Sequence, residues 1–228
     1  GIYTTDPRIV PEARKLTEID YGDMLELASL GAKMNPRSIE LGAVYNVPIY
    51  VSSSFVDSPG TLIHEGADSM EARKKVTGVA FDLNVAKITI RSVPDRPGVA
   101  ATLLEQLADE SISVDTIVQN ASLDRMTDIS FTVARSDLKK ALEVIGPVTN
   151  SIKIQGISSD DRLAKVSIVG AGMQNAPGYA ARMFRALADE GINIEMIATS
   201  DIRITCIVGE DRAEDAVRAL HSAFDLER

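Results

Sequence analysis

The sequence is poor in the residues that thiol chemistry and metal binding require. Cys206 is its single cysteine, so no disulfide forms within the chain and a reducing compartment such as the cytoplasm is expected. Its two histidines, His64 and His221, match no metal-ligand spacing. We therefore expect no metal site and no disulfide framework.

Basic and aromatic residues are also scarce. The formal net charge is −9, and aromatic residues make up 4% of the chain, with no tryptophan. Nucleic-acid binding uses clustered Lys and Arg and often stacking aromatics, so a nucleic-acid-binding protein is disfavoured. No apolar run is long enough to cross a bilayer, and no signal-peptide pattern is visible. We expect neither a nucleic-acid nor a membrane partner.

The amount of apolar residues predicts a globular chain. The sequence has 228 residues, of which 45% are hydrophobic, enough for a sizeable core and for more than one small domain. It begins with Gly1 rather than methionine, and we expect it to be a piece of a longer protein.

The dominant feature of the sequence is a unit that occurs twice. The first copy runs from Ala86 to Asp115 and the second from Ala164 to Glu195. Both copies read as strand, loop, Pro-Gly, helix and strand, and the Pro-Gly pair at 97–98 aligns with the pair at 177–178. An internal repeat of this size indicates the architecture before any single motif does.

The first copy predicts a βαββαβ unit of the ferredoxin-like kind. Its predicted elements are the strand Ala86–Val93, helix Val99–Glu110, strands Val114–Asn120 and Thr127–Ala134, a helix from Asp137 to Ile145 closed by Gly146-Pro147, and strand Ile152–Ile157.

The second copy lacks a fourth strand before the chain ends. Its predicted elements are strand Ala164–Val169, helix Gly178–Glu190, strands Ile194–Thr199 and Arg203–Gly209, and helix Ala213–Phe224. An unpaired sheet edge is a liability. We therefore predict that the strand Thr77–Asp82 fills this place, with the first unit inserted into the second.

The region before the repeats has the pattern of the end of an α/β domain. After an ordered loop at Tyr3–Arg8, the predicted elements are a helix capped by Thr17 and ended by Gly31, a helix Pro36–Tyr45, and strands Ile49–Ser54 and Thr61–His64. A polar, charged segment follows and is predicted to be a linker.

Several motifs resemble the C-terminal half of aspartate kinase, and the resemblance covers nearly the whole chain. The motifs are Tyr3-Thr-Thr-Asp-Pro-Arg-Ile-Val-Pro, Met24-Leu-Glu-Leu-Ala, Gly31-Ala-Lys, Pro59-Gly-Thr-Leu-Ile, Thr77-Gly-Val-Ala, Val118-Gln-Asn, Thr127-Asp-Ile-Ser-Phe, Val169-Gly-Ala-Gly-Met and Thr199-Ser-Asp-Ile-Arg-Ile. The resemblance implies an α+β chain with two tandem ferredoxin-like ACT domains, the first inserted into the second, after the remnant of an amino-acid-kinase domain. The implied boundaries are 1–66 for the remnant, 67–76 for the linker, 84–160 for the first ACT domain, and 77–83 with 161–228 for the second.

The family transfers the γ-phosphoryl group of Mg-ATP to the β-carboxylate of L-aspartate. This chain lacks the N-terminal phosphate-binding segment of the family, so the resemblance implies no catalytic residues here, no prosthetic group and no activity of the chain alone. It places along the ATP site Tyr3, Thr4, Thr5, Asp6, Pro7, Arg8 and Lys33. The family pattern departs at Met34-Asn-Pro-Arg37. On the residues alone, Lys33 compensates a helix C-terminus, and the Tyr3–Arg8 segment is an ordinary surface turn.

The residues also suggest an amino-acid effector site. A helix N-terminus after Pro-Gly presents free N–H groups to a carboxylate, and Asp95 with Gln119 and Asn120 could hold an ammonium and a side chain. The resemblance implies a wall of Ser113, Val114, Asp115 and Gln119, and a second wall from a partner chain formed by Ala180, Ala181, Asn193, Ile194, Glu195, Asp201 and Ile202. The implied effectors are L-threonine, L-lysine or both. The implied assembly is a homodimer through the ACT domains, or a hetero-tetramer with a larger catalytic subunit.

Other interpretations stay open on the residues alone. Asp95 closes a turn equally well, Asp115 and Glu195 fit solvated charges, and Ala180 and Ala181 are ordinary helix formers. An ACT-type sensor for a different enzyme is the alternative function, and residues 1–66 argue against it. A dinucleotide fingerprint at Val169-Gly-Ala-Gly is disfavoured, because Asn175 stands where its third glycine belongs.

Overall fold

The computed structural model describes residues 1–66, 76–120, 125–152, 154–174 and 176–228. Most of the predicted linker, and Asn175, lie outside these residues. The strands are β1 Glu18–Asp20, β2 Ile49–Val51, β3 Thr61–His64, β4 Gly78–Pro94, β5 Val114–Gln119, β6 Met126–Val133, β7 Gly156–Val169, β8 Met196–Thr199 and β9 Arg203–Gly209. The helices are α1 Tyr21–Ser29, α2 Pro36–Val44, α3 Val99–Asp109, α4 Leu138–Ile152, α5 Tyr179–Asp189 and α6 Ala213–Ala223.

The chain divides into two compact units, one of residues 83–163 and one of residues 1–82 with 164–228. Unit 83–163 holds the first repeat, with strand order β5-β6-β4-β7 and antiparallel pairs β4–β6 and β5–β6. Helices α3 and α4 share an apolar core with this sheet, including Ile88, Leu103, Phe131 and Ile145. The order is that of a ferredoxin-like βαββαβ unit.

The second repeat lies in the other unit, where the strand order is β4-β7-β9-β8. Residues of β7 and β9 build its core with α5 and α6, including Ile168, Cys206, Met183 and Leu220. The start of β4 provides the strand that the second repeat lacks, and the Thr77 N–H donates to the Val169 carbonyl oxygen at 2.7 Å. The predicted fold class, with the first ferredoxin-like unit inserted into the second, is confirmed.

The N-terminal region forms a small α/β layer within the same unit. Its sheet has the order β1-β3-β2, with β1 parallel and β2 antiparallel to β3. Met24, Leu27, Ile39 and Ile63 form its core, and Val169 at the end of β7 joins the same cluster. The α/β remnant therefore packs against the second repeat through shared apolar burial.

The first helix begins later than predicted. Thr17 does not cap it, because residues 18–20 pair with β3 as strand β1. Asp20 is the N-cap, and its Oδ1 accepts the Gly22 N–H at 2.8 Å. Pairing with β3 outweighs the local capping preference of Thr17.

Helix α4 continues past the predicted stop at Gly146-Pro147 and ends at Ile152. Pro147 is exposed, so water reaches the carbonyl group that its missing N–H leaves unpaired. The predicted strand from Ile152 is therefore wrong in its first residues, and β7 begins at Gly156. The two strands predicted at 77–82 and 86–93 are parts of one long strand, β4. Likewise, the strand predicted at 164–169 and the last two residues of the strand predicted at 152–157 are parts of one long strand, β7.

Strand Ile49–Val51 is also shorter than predicted. No helix among the described residues is long and apolar enough to cross a membrane.

Candidate functional site

A cleft of about 510 Å³ opens between the N-terminal loop, the end of α1 and the start of β4. It is lined by six of the seven residues assigned to the ATP site by resemblance, namely Tyr3, Thr5, Asp6, Pro7, Arg8 and Lys33. Val79, Ala80 and Phe81 of β4 form another wall. The sequence-predicted segment and Lys33, about 25 residues further along the chain, are therefore brought together at one cleft.

Thr4 does not line the cleft, because it is buried as an anchor. Its carbonyl oxygen accepts the Val79 N–H at 2.7 Å, and its Oγ1 accepts the Arg14 N–H at 3.0 Å. The same Oγ1 lies 2.9 Å from Nε2 of His221, on the last turn of α6. His221 is a structural residue that sequence reasoning missed, since no local pattern predicts a contact across 217 positions.

Asp6 and Arg8 form a close ion pair at the rim of the cleft. Arg8 Nη2 lies 2.5 Å from Asp6 Oδ2, and Arg8 Nε and the Arg8 backbone N–H donate to Asp6 Oδ1 at 3.0 and 2.9 Å. Hydrogen bonding from the Arg8 side chain lowers the pKa of Asp6, and the positive charges of Arg8 and Lys33 act in the same direction. Asp6 therefore holds Arg8 in place and stays ionised.

Gly31, which follows α1, approaches β4 closely at the lining of the cleft. Its φ is +106°, and a Cβ at this position would lie 2.5 Å from the Phe81 carbonyl oxygen. Only glycine allows this approach without displacing β4. The Thr5 hydroxyl beside the cleft is buried and has no hydrogen-bond partner among the described residues.

A second pocket, of about 340 Å³, lies in unit 83–163 at the Pro-Gly loop of the first repeat. Asp95, Gly98, Ala100 and Gln119 all line it. Gly98 is the N-cap of α3 with φ +94°, and no described side chain caps this helix. The structure thus brings Asp95 and Gln119 together at the N-terminus of α3.

The other first-repeat residues lie outside this pocket. Ser113, Val114 and Asp115 lie at the start of β5, at the opposite end of the strand from Gln119. Asn120 follows β5, and its carbonyl oxygen accepts the Thr127 hydroxyl. Ser113, Asp115 and Gln119 share the exposed face of the strand, which alternates with Val114 and Thr116.

The second-repeat residues occupy three places in their own unit. Ala180 and Ala181 lie in the first turn of α5, after Gly178 with φ +101°. Asn193, Ile194 and Glu195 precede β8, where Asn193 Nδ2 donates to Glu195 Oε1 at 2.9 Å. Asp201 and Ile202 lie in the turn between β8 and β9, and the Ile202 carbonyl oxygen accepts the Gly170 N–H at 2.9 Å.

No three His, Cys, Asp or Glu side chains among the described residues come together as a metal-binding group. Burial raises the pKa of Cys206 to about 12, so its thiol stays protonated in the core.

Comparison with known proteins shows two ACT domains, because the family profile described as ACT domain matches residues 88–146 and 166–224. An aspartate kinase of Pseudomonas putida is 47% identical over 228 residues, which are 100% of this chain and 56% of that protein. The chain thus spans about half the length of the curated relatives it matches.

Solved structures show the same relationship. The ligand-free regulatory subunit of aspartate kinase from Thermus thermophilus is 44% identical, with a TM-score of 0.64, over 66% of this chain and 99% of that one. Aspartokinase III of E. coli, solved in complex with lysine and aspartate, is 26% identical with a TM-score of 0.76, over 98% of this chain and 49% of that one. This chain therefore belongs to the aspartate kinase family and contains the C-terminal, regulatory part of such an enzyme, with its two ACT domains.

Proposed function

We propose that this chain is the amino-acid sensor of an aspartate kinase and that it binds L-threonine, L-lysine or both. Binding inhibits transfer of the ATP γ-phosphoryl group to the β-carboxylate of L-aspartate by the whole enzyme, as feedback by end-products of the pathway. The observation that carries the proposal is the pocket that joins Asp95, Gln119 and the N-terminus of α3.

The chemistry of this pocket matches a free amino acid. No described side chain caps the first turn of α3, and the Val99 N–H donates only a long bond of 3.4 Å to the Arg96 carbonyl oxygen. The other amides of this turn and the positive end of the α3 dipole favour an α-carboxylate. The Asp95 carboxylate provides a charge partner for the α-ammonium, and the Gln119 amide can both donate to and accept from a hydroxyl or amine. A free amino acid satisfies all three groups at once.

The assignment of lysine draws support from the E. coli relative, which was solved with lysine bound. The residues of the second repeat, from Ala180 to Ile202, would close the site from a partner chain. On this account Ser113 and Asp115 contact the ligand or the partner outside the pocket that one chain forms.

We further propose that the cleft at residues 3–8 receives part of Mg-ATP. Tyr3 and Phe81 offer aromatic surface, Lys33 offers a cation for phosphate, and Asp6 holds Arg8 at the rim. The chain does not phosphorylate aspartate by itself, because the other half of the kinase site lies outside it. A cytoplasmic location fits the protonated, buried Cys206.

The proposed assembly is a homodimer through the ACT sheets, with a hetero-tetramer containing a larger catalytic subunit as the second arrangement to test. Strands β5 and β8 are the two outer strands of the order β5-β6-β4-β7-β9-β8, and each exposes an isoleucine at an equivalent repeat position. Ile117 is 50% exposed and Ile197 is 44% exposed. Pairing of these edges would remove both from water.

Calorimetric titration with L-threonine and L-lysine tests the proposal, with each amino acid alone and in the presence of the other. We expect saturable binding by the wild-type chain. In Gln119→Ala we expect a loss of affinity of about tenfold or more for L-lysine, whose ammonium is charged, and of about three- to tenfold for L-threonine, since hydrogen bonds contribute about 1.5–3 kcal/mol to charged groups and about 0.5–1.5 kcal/mol to neutral ones. Gln155→Ala, the same truncation at an exposed glutamine that lines neither pocket, is the matched control. Binding of neither amino acid, or equal affinity in Gln119→Ala, would contradict the proposal.

A further inference from the structure

Asp23 is a buried carboxylate that neither pocket uses. It lies in the first turn of α1 and is 6% exposed. Its Oδ1 accepts the backbone N–H of Ala171 at 2.9 Å, and its Oδ2 accepts the Thr77 hydroxyl at 2.5 Å. One side chain of the kinase remnant therefore binds two separate segments of the second repeat: the turn after β7 and the residue before β4.

The turn after β7 is hydrogen-bonded to the Asp201–Ile202 segment, which the proposed function places at the effector site. The Gly170 N–H, one residue before Ala171, donates to the Ile202 carbonyl oxygen at 2.9 Å. Arg203, the next residue, forms an ion pair with Glu26 of α1, with Nη1 2.9 Å from Oε2. Both side chains of this pair are about three-quarters buried. Helix α1 is thus attached to residues 202–203 on two sides.

Thr77, the residue before β4, is covalently continuous with the part of β4 that lines the cleft. Thr77 donates its hydroxyl to Asp23 and its N–H to Val169, and Val79, two residues further, donates its N–H to Thr4. Val79, Ala80 and Phe81 line the same cleft as Lys33. A displacement of Thr77 relative to α1 therefore moves a wall of the cleft.

The second repeat differs from the first at this turn. The first repeat passes from β4 to Gly98 in four residues and leaves its pocket open. The second repeat has a longer connection, from Val169 to Gly178, which contains a 3₁₀ turn at Ala171–Met173. The Met173 side chain is buried in the core of this unit. In the second repeat this connection is used to attach the kinase remnant.

We infer that Asp23 is the positioning residue that couples the Asp201–Ile202 segment to the cleft, through its bonds to Ala171 and Thr77. The inference rests on the proposed function, since it requires that an amino acid binds near residues 201–202. Coupling of this kind needs an element that both sites bias, and the Asp23 contacts join the two. The role of Asp23 in this coupling is to hold the two segments in place.

Hydrogen exchange at the Val79 and Gly170 amides, measured with and without saturating L-threonine and L-lysine, tests the coupling. In the wild-type chain we expect either amino acid that binds to change both exchange rates by about fivefold or more, the lower end of usual coupling. In Asp23→Ala we expect the amino acid to bind still, and the response at Val79 to fall to within about twofold of unity. A purely structural role would change the rates without ligand and leave the ligand-dependent ratio intact.

Two further variants keep the test decisive. Thr77→Val removes the hydroxyl contact and preserves side-chain volume, so it reports on the coupling even if Asp23→Ala does not fold. Glu40→Ala, at an exposed acid on α2, is the matched control and should respond as the wild type does.

The two proposals fail in distinguishable ways. If the wild-type chain binds neither amino acid, the proposed function fails and this inference with it. If the wild type binds and Val79 does not respond, or if Asp23→Ala and Thr77→Val keep the full response at Val79, only the coupling role of Asp23 is overturned.

Discussion

His221 lies buried on the last turn of α6, with its Nε2 2.9 Å from the Thr4 hydroxyl and its Nδ1 3.9 Å from Glu227 Oε2. Burial lowers its pKa, which the carboxylates of Glu227 and Glu12 only partly oppose. The imidazole is therefore neutral in the fold, and it fastens the N-terminal loop beside the cleft to the second repeat.

Because the pKa of His221 is lower in the folded than in the unfolded chain, the unfolded chain binds the proton first as the pH falls. Its contribution to stability is complete above the ordinary histidine pKa of about 6.5 and is lost below it. We therefore expect the urea concentration at the unfolding midpoint to decrease as the pH is lowered from about 7.5 to about 5.5. His221→Gln, which cannot titrate, should flatten this dependence. An unchanged slope in the variant would show that other groups cause it.

Burial makes the Cys206 thiol unreactive, because it disfavours the thiolate form. With its pKa raised to about 12, its thiolate fraction at pH 8 is on the order of a thousandfold below that of a free thiol. We expect an aromatic disulfide reagent to label the native chain at most very slowly, and to label one thiol promptly in denaturant. Prompt labelling of the native chain would indicate that β9 opens frequently.

At the scale of elements, alanine substitutions at two glycines distinguish the cost of a left-handed backbone from the gain of a better helix former. Gly98 has φ +94° at the start of α3, and Gly146 lies within helix α4; a Cβ would meet no atom within 4 Å at either position. We expect Gly98→Ala to destabilise the chain by about 1–2 kcal/mol through its left-handed backbone. Gly146→Ala should stabilise it by about 0.5–1 kcal/mol.

Denaturant unfolding of both alanine variants measures these free energies. Opposite signs would confirm that Gly98 is retained for its conformation and not for space. A neutral Gly98→Ala would mean that the loop relaxes, and the amides of the first turn of α3 would then be less well fixed for a carboxylate than the proposed site requires.

The elements were predictable where local pattern decides and not where distant pairing decides. Alternating apolar residues and the Pro-Gly pairs located β6, β9, α3, α5 and α6 to within about two residues, and the repeat predicted the fold class. The start of α1 at Asp20 depends on β1 pairing with β3, 44 positions away at Leu62. The roles of His221 and Asp23 depend on contacts across 217 and 148 positions, for which the sequence carries no local signal.

At the scale of the whole molecule, the proposed dimer predicts a role for the exposed isoleucines of the edge strands. We expect the wild-type chain to sediment as a dimer, and Ile117→Lys and Ile197→Lys each to shift it towards the monomer, because a buried ammonium without a partner is strongly unfavourable. Val44→Lys, on α2 where the side chain is 76% exposed, is the control.

Unchanged dimers in both edge-strand variants, or dissociation by Val44→Lys alone, would place the interface elsewhere.

The predicted domain boundaries can be tested by proteolysis of the same protein, since residues 83–163 form a compact unit of their own. Limited proteolysis within residues 67–76 that leaves both ACT domains intact would support the predicted linker.

The structure of the chain crystallised with saturating L-threonine, and separately with L-lysine, tests the central claim most directly. The account predicts that at least one amino acid occupies the pocket of the first repeat, with its carboxylate at the amides following Gly98, its ammonium near Asp95 and its side chain at Gln119. An amino acid bound only elsewhere, or an empty pocket with both ligands at saturation, would contradict the account.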